Sequence, residues 1–166
     1  MIIRFVSSAD PGDYHPRRMA FWMSRRRFEI DLLVRAPLDE VRARFAEPAR
    51  WLRSHPLITD VVPRPGETGG YDIHEIVPFL GVKVNNTYRV RIAVHEGGVD
   101  SEAWSSPSIF IQSRLVWRAD DDGTRLREET VIDVPVPVAS FVQRTAHRAH
   151  EDQLGRLRDE IEASRA

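Results

Sequence analysis

Hydrophobic and polar residues alternate along most of this chain. Residues 27–36 show the alternation clearly, with apolar side chains at Phe28, Ile30, Leu32 and Val34. A two-residue period is typical of a strand that buries one face. The same pattern predicts further strands over residues 58–62, 71–77, 82–94, 99–105, 109–117 and 126–134. Turns as short as Gly97-Gly98 and Asp121-Asp122-Gly123 predict antiparallel pairing between neighbours.

A longer period, typical of helices, occurs in three places. Pro37 suits a first helical turn, and Leu38, Val41 and Phe45 follow at helical spacing. A second short helix is predicted over residues 49–54, ending where His55 precedes a proline. Residues 138–163 predict one amphipathic helix of about 26 residues, roughly 39 Å long at 1.5 Å per residue. A helix of that length can cross a whole sheet.

This progression resembles the START-related, birch-pollen-allergen-like (SRPBCC) superfamily, in particular its bacterial polyketide cyclase/dehydrase-like members. The resemblance covers residues 27–163 and rests on residues 28–31, 36–41, 47–51, 55–56 and the final amphipathic helix. It implies an α+β helix-grip fold: a seven-stranded curved antiparallel sheet around a long C-terminal helix, with two short helices between the first two strands. It also implies a hydrophobic ligand cavity, but no single activity, because one fold serves many functions.

Composition narrows the class of protein. A chain of 166 residues with 42% hydrophobic residues suits one globular domain. The net charge of −1 gives no basic excess, which disfavours nucleic acid as a partner. The absence of cysteine excludes disulfides and Cys-ligated zinc and fits a cytoplasmic location. No apolar run approaches the roughly 20 residues of a membrane span. The oligomeric state stays open.

The first 26 residues differ from the rest. Turn residues such as Asp10-Pro11-Gly12 precede an apolar, arginine-flanked stretch around Met19. We interpret residues 1–26 as an N-terminal extension and residues 27–166 as the helix-grip ligand-binding domain. The extension could be a tail, an extra edge strand or a segment that touches a membrane surface, and translation could also begin at Met23.

Polar residues share strand faces with the apolar ones. A polar group on a buried face costs free energy unless it is hydrogen-bonded or meets a ligand or water. The predicted ligand-binding residues are therefore Glu75, Asn86, Tyr88, Ser101, Ala103, Ser113, Leu115, Trp117, Glu128 and Thr130. The alternative is that the polar members satisfy one another or lie at exposed sheet ends.

Catalytic candidates follow from the same face. Glu75 and Glu128 are carboxyls on an apolar wall, where burial raises a pKa toward the range of a general acid or base. Tyr88 could orient a carbonyl or hydroxyl of the ligand.

The histidines raise the question of a metal. His147 and His150 lie three residues apart on the final helix beside Glu151, but no third-ligand motif accompanies them. We therefore predict no metal and no cofactor, and assign His147 and His150 to a solvated or partly buried helix face. His55 is interpreted as a structural residue that closes the second helix.

Three functional classes remain. The first is binding or carriage of a hydrophobic small molecule, lipid-like or polyketide-like, in an internal cavity. The second is a cofactor-free polyketide cyclase or aromatase that uses the cavity acid/base residues. The third is a regulatory module, indicated only by arginines on the outer sheet face such as Arg89, Arg114 and Arg127.

Overall fold

The computed structural model describes residues 3–6, 21–79, 81–105 and 108–165. Its elements in chain order are β1 (Ile3–Val6), β2 (Met23–Val34), α1 (Leu38–Phe45), α2 (Pro48–Leu52), β3 (Ile58–Pro63), β4 (Gly70–Phe79), β5 (Val82–His95), β6 (Gly98–Ser105), β7 (Ile109–Asp120), β8 (Gly123–Pro135) and α3 (Ala139–Ala163). A short 3-10 helix, Val136–Val138, leads into α3. No helix in these described ranges is long and apolar enough to cross a membrane.

Seven strands form one antiparallel sheet in the order β2-β8-β7-β6-β5-β4-β3. The strands from β3 to β8 pair with their sequence neighbours, as tight turns require. The first long strand closes the other edge, because β2 pairs with β8 from Met23 opposite Pro135 to Val34 opposite Thr124. The predicted seven-stranded antiparallel sheet is confirmed.

One strand lies outside this antiparallel order. β1 pairs with β5 in parallel, from Ile3 opposite Val84 to Val6 opposite Thr87. β6 pairs with β5 only from Arg89 to His95. β1 pairs with the preceding stretch of β5, from Val84 to Thr87, whose backbone edge β6 leaves open. Covering an open edge removes a site for unwanted strand pairing. Residues 7–20, which include Met19, lie outside the described residues, whereas Phe21 and Trp22 are exposed just before β2.

The two short helices connect β2 to β3, as predicted. Val41 and Phe45 are the buried residues of α1, and Leu52 is the buried residue of α2. The indole Nε1 of Trp51 donates a hydrogen bond to the Phe45 carbonyl at 3.2 Å, which ties the two helices together. Helices this short are held by packing rather than by their own backbone bonds.

The long helix α3 packs on the inner face of the sheet. Its buried side chains at Leu154, Leu157 and Ile161 join the core cluster that also holds Leu115, Trp117 and Ile132 from the strands. The predicted grip of the sheet on the C-terminal helix is therefore confirmed. Beside its N-terminal half, a cavity lies between the helix and the sheet.

The first long strand begins earlier than the hydrophobic pattern predicts. Alternation is clear only from residue 27, whereas β2 starts at Met23. Arg25 explains the difference, because its guanidinium donates to both carboxylate oxygens of Asp133 on β8, at 2.7 and 2.8 Å. Arg25 keeps its side chain largely exposed while Asp133 is buried, so a charged pair extends the strand where apolar alternation is absent.

Candidate functional site

A cavity of about 290 Å³ lies between the sheet and the first half of α3. The sheet contributes side chains from β4 to β7, and the helix contributes Val142, Ala146 and Ala149. The rings of Phe79 on β4 and Phe141 on α3 meet edge to face, with centroids 4.8 Å apart, and line the cavity too. Most of the wall is apolar.

Strand alternation places the polar groups of this wall. Val84, Asn86 and Tyr88 are alternate residues of β5, so all three face the cavity. Ala103 and Ser105 do the same on the neighbouring strand β6. The small side chain of Ala103 leaves space where a bulky residue would fill the core.

Three polar side chains on adjacent strands form a hydrogen-bonded row. The Asn86 amide nitrogen donates to Glu75 Oε1 at 2.9 Å and lies 2.9 Å from Ser105 Oγ, which also lies 3.2 Å from Asn86 Oδ1. Asn86 thus holds Glu75 in a fixed orientation. The polar side of the cavity is built into the sheet.

Burial raises the pKa of two acids that line the cavity, Glu75 and Tyr88. Burial raises the pKa of the Glu75 carboxyl, against the opposing effects of the Asn86 hydrogen bond and of nearby His150. Burial and then the neighbouring Glu75 raise the pKa of Tyr88 well above its usual value of 10.0. The Tyr88 hydroxyl therefore keeps its proton and can donate a hydrogen bond into the cavity.

On the helix side of the cavity, the polar group is His150, which the carboxylate of Glu128 holds in place. His150 Nδ1 lies 2.8 Å from Glu128 Oε1, and the two side chains are 20% and 9% exposed. Burial alone lowers the pKa of His150, but the charge of Glu128, its hydrogen bond and the charge of Glu75 outweigh it, so the pKa lies above 6.5. From the sequence, we assigned His150 to a solvated or partly buried helix face and gave it no role in the cavity.

A second histidine stands beside the first. The rings of His55 and His150 meet edge to face with centroids 5.9 Å apart, and both line the cavity. Burial, followed by the charges of His150 and Arg156, lowers the pKa of His55 to about 3. His55 Nδ1 accepts a hydrogen bond from the Leu57 backbone at 3.4 Å. A neutral imidazole that accepts at Nδ1 carries its proton on Nε2.

The structure divides the sequence-predicted residues into three groups. Glu75, Asn86, Tyr88 and Ala103 line the 290 Å³ cavity. A separate void of about 30 Å³, deeper between sheet and helix, is bordered by Ser101, Ser113, Leu115 and Glu128. Trp117 and Thr130 border neither space. For all ten, a role in ligand binding stays a prediction.

The two residues outside both spaces have partners in the protein. Thr130 is 1% exposed and its hydroxyl lies 2.8 Å from Ser113 Oγ. Trp117 donates from Nε1 to the Glu96 carbonyl at 2.7 Å and packs against Phe45. These contacts match the alternative in which polar groups of the buried face satisfy one another.

The sequence missed His55 and His150 as cavity residues. Val142, Ala146 and His150 recur every four residues, so the helical period itself places His150 on the cavity stripe. No periodic pattern predicts that His55 lines the cavity, because its position depends on where α2 ends. His147 faces elsewhere: its Nε2 lies 3.5 Å from Glu151 and its ring stacks on Phe28. Within the described ranges, no group of three or more His, Asp or Glu side chains could hold a metal ion.

No protein-family model matches the chain, and no curated protein matches it by sequence. Solved structures do match. The di-domain ARO/CYC StfQ from the steffimycin biosynthetic pathway is 13% identical with a TM-score of 0.69, over 85% of this chain and 51% of that one. The chain thus spans about half the length of StfQ.

Two further matches cover nearly whole proteins. The Zhui aromatase/cyclase from Streptomyces sp. R1128 is 15% identical with a TM-score of 0.62, over 84% of this chain and 94% of that one. Ara h 8.0201 is 12% identical with a TM-score of 0.57, over 81% of this chain and 98% of that one. This chain has the helix-grip fold. At such identities the likeness establishes the helix-grip architecture, and the resemblance seen in the sequence is confirmed at that level.

Proposed function

We propose that this helix-grip protein binds and carries a small, mostly apolar molecule in the cavity between the sheet and α3. The observation that supports the proposal is the cavity itself, about 290 Å³ with a largely apolar wall and polar groups gathered at Glu75, Asn86 and His150. Ligand pockets combine those features: apolar walls supply affinity, and a few placed polar groups fix orientation.

The size of the cavity limits the ligand. Its volume lies just below the range of roughly 300–1,000 Å³ that is typical of ligand pockets. A compact lipid-like or polyketide-like molecule with one polar end fits this arrangement. Such a molecule places its polar group near Glu75 and its apolar body against Val84, Ile111 and Val142.

The second candidate is a cofactor-free aromatase or cyclase for a polyketide-like substrate. A specific observation favours it: Glu75, an acid whose pKa burial raises, and His150, whose pKa its carboxylate partner raises, line the same cavity. Groups with such shifted pKa values suit general acid/base work near neutral pH. StfQ and Zhui, which share the fold, are named as ARO/CYC proteins.

Dye binding tests the proposal. We expect 1-anilinonaphthalene-8-sulfonate to bind saturably to the wild type, and Ala103→Trp to abolish binding because an indole fills the cavity. The matched control is Ala119→Trp, which places the same ring on an exposed position of β7 and leaves binding intact. Thermal melts of the variants establish that each is folded.

Unsaturable dye fluorescence, or equal binding by the wild type and Ala103→Trp, contradicts an internal site. Loss of binding in both tryptophan variants also contradicts it, because Ala119 lies outside the cavity and a tryptophan there leaves the cavity open.

We also propose that the helix-grip domain begins near residue 27 and acts in the cytoplasm. β2 begins at Met23, slightly before that boundary. A chain that starts at Met23 therefore lacks residues 1–22 but keeps every strand of the antiparallel sheet. Dye binding by that truncated chain, and its appearance in the cytoplasmic fraction, support these two points.

A further inference from the structure

His150 lines the cavity and has one of its two ring nitrogens in a hydrogen bond. Its Nδ1 is engaged by Glu128 at 2.8 Å, so Nε2 is the nitrogen left for a bound molecule. The carboxylate fixes the proton on Nδ1 when the ring is neutral, and Nε2 then carries a lone pair. Glu128 is buried, so the partner that sets this tautomer is shielded from solvent. An imidazole oriented by a carboxylate is the arrangement of a general base.

Hydrogen-bond donors line the same cavity. The Tyr88 hydroxyl keeps its proton because burial raises its pKa, and the neutral ring of His55 carries its proton on Nε2. A ligand oxygen that accepts hydrogen bonds finds partners among these groups. A ketone or enolate oxygen meets that requirement, whereas an ammonium group offers no acceptor.

We propose that His150 is a catalytic base that removes a proton from the carbon next to a ketone of the bound molecule, and that Glu128 is its positioning residue. The C–H bond breaks and its proton moves to His150 Nε2. The electron pair forms the carbon–carbon double bond, and the carbonyl electrons move to the oxygen, which the cavity donors hold as the enol or enolate. Return of a proton from Nε2 to carbon completes the exchange, so no oxidant or cofactor is needed.

The charges around His150 give the reaction a defined pH dependence. The titratable groups that face it are Glu128 on β8, Glu75 on β4, Tyr88 on β5 and His55 after α2. The net effect of these surroundings is a His150 pKa above 6.5. The basic form is therefore scarce at low pH, and the rate rises as pH increases through the raised pKa of His150, above 6.5.

Deuterium exchange of 2-tetralone tests this inference, which rests on the proposed binding function. This bicyclic ketone has acidic C–H bonds beside its carbonyl, and uptake of deuterium in D₂O is read by proton NMR. We expect the wild type to accelerate exchange over buffer, with a rate that saturates in ketone. His150→Gln should lower the rate about 10²- to 10⁴-fold, the usual contribution of a general base.

Two variants separate chemistry from structure. His147→Gln changes a histidine one turn away on α3 that pairs with Glu151 outside the cavity, and we expect its rate to equal that of the wild type. Glu128→Gln should lower the maximal rate and move the midpoint of the pH profile downward, because the charge that raises the His150 pKa is gone. A purely structural role for Glu128 leaves that midpoint unchanged, and such a result overturns its assignment.

The outcomes separate this inference from the binding function. If 2-tetralone displaces the dye but exchanges no faster than in buffer, the base assignment is wrong and the binding function stands. If exchange is fast yet equal in His150→Gln, another group is the base and the inference is overturned. If neither ketone nor dye binds, the proposed function fails as well.

Discussion

Ser113 and Thr130 form a buried hydroxyl pair. Mutating them tests whether polar groups on the inner face of the sheet satisfy each other's hydrogen bonds. Their oxygens lie 2.8 Å apart, and the residues are 8% and 1% exposed. Ser113→Ala or Thr130→Val alone leaves one buried hydroxyl unpaired, which we expect to lower the free energy of unfolding by about 1–3 kcal/mol. The double variant should lose less than the sum of the singles.

Urea denaturation measures that cycle, and the dye titration accompanies it. Neither residue lines the 290 Å³ cavity, so dye affinity should stay that of the wild type. Additive losses of stability would contradict the pairing of the two hydroxyls. Weaker dye binding by the folded variants would indicate that the hydroxyls act on the ligand.

His55 makes stability depend on pH. Its pKa is 6.5 unperturbed and about 3 in the folded protein, so the unfolded chain binds this proton at a higher pH than the folded chain does. Stability contributed by the neutral ring is present above 6.5 and is lost as pH falls toward 3, by up to about 1.4 kcal/mol per pH unit.

Denaturant unfolding at a series of pH values checks this sign. We expect His55→Gln to lose less stability than the wild type between pH 6.5 and 3, because glutamine takes up no proton. Parallel curves for the two proteins would show that His55 does not carry the effect.

For individual residues, the sequence predicted which side chains line the cavity better than it predicted their hydrogen-bond partners. Period-2 alternation found Glu75, Asn86, Tyr88 and Ala103, which do line the 290 Å³ cavity. It could not show that Ser113 bonds Thr130 or that Trp117 bonds the Glu96 carbonyl, since those contacts depend on strand register and on a turn. The Glu128–His150 pair joins a strand to a helix 22 residues later. The local alternation of apolar and polar residues carries no information about a contact between two such elements.

At the scale of elements, the β5–β6 hairpin depends on a glycine that has no room for a side chain. A Cβ added at Gly98 would collide with the backbone of Leu115 and Val116 on β7, whereas one at Gly97 meets only the His95 ring, at 3.7 Å. We therefore expect Gly98→Ala to lower the free energy of unfolding by about 1–3 kcal/mol or more.

Gly97→Ala is the matched control, with the same chemical change one residue away. Thermal unfolding of both variants measures the difference, and Gly97→Ala should stay near the wild type. Equal melting temperatures for the two variants would contradict the close approach of β6 and β7.

The elements themselves were largely predictable from sequence. Strands β3 to β8 follow the alternation, and the turns at Gly97-Gly98 and before Gly123 occur where expected. The start of β2 was predicted too late, because Arg25 extends the strand through its ion pair with Asp133 rather than through apolar side chains. The parallel pairing of β1 joins residues about 80 positions apart and left no periodic signal.

At the scale of the whole molecule, the cavity follows from how helix and sheet meet. The C-terminal half of α3 is fixed by Leu154, Leu157 and Ile161 in the core. Its N-terminal half carries Ala146 and Ala149 toward the cavity, and Ala103 faces them from the sheet. Small side chains on both walls leave the space that large ones would fill. The order of elements predicted a cavity, but its position and polar side required the packing of α3.

Solution NMR with a bound probe tests most directly whether that cavity is the binding site. In a titration of the ¹⁵N-labelled protein with 1-anilinonaphthalene-8-sulfonate, we expect saturable shifts of backbone signals beside the cavity, at Val84, Ala103 and Ala146. Exposed residues of the outer sheet face, such as Arg114, should stay unshifted. Shifts confined to the outer face, or none at saturating probe, would contradict internal binding.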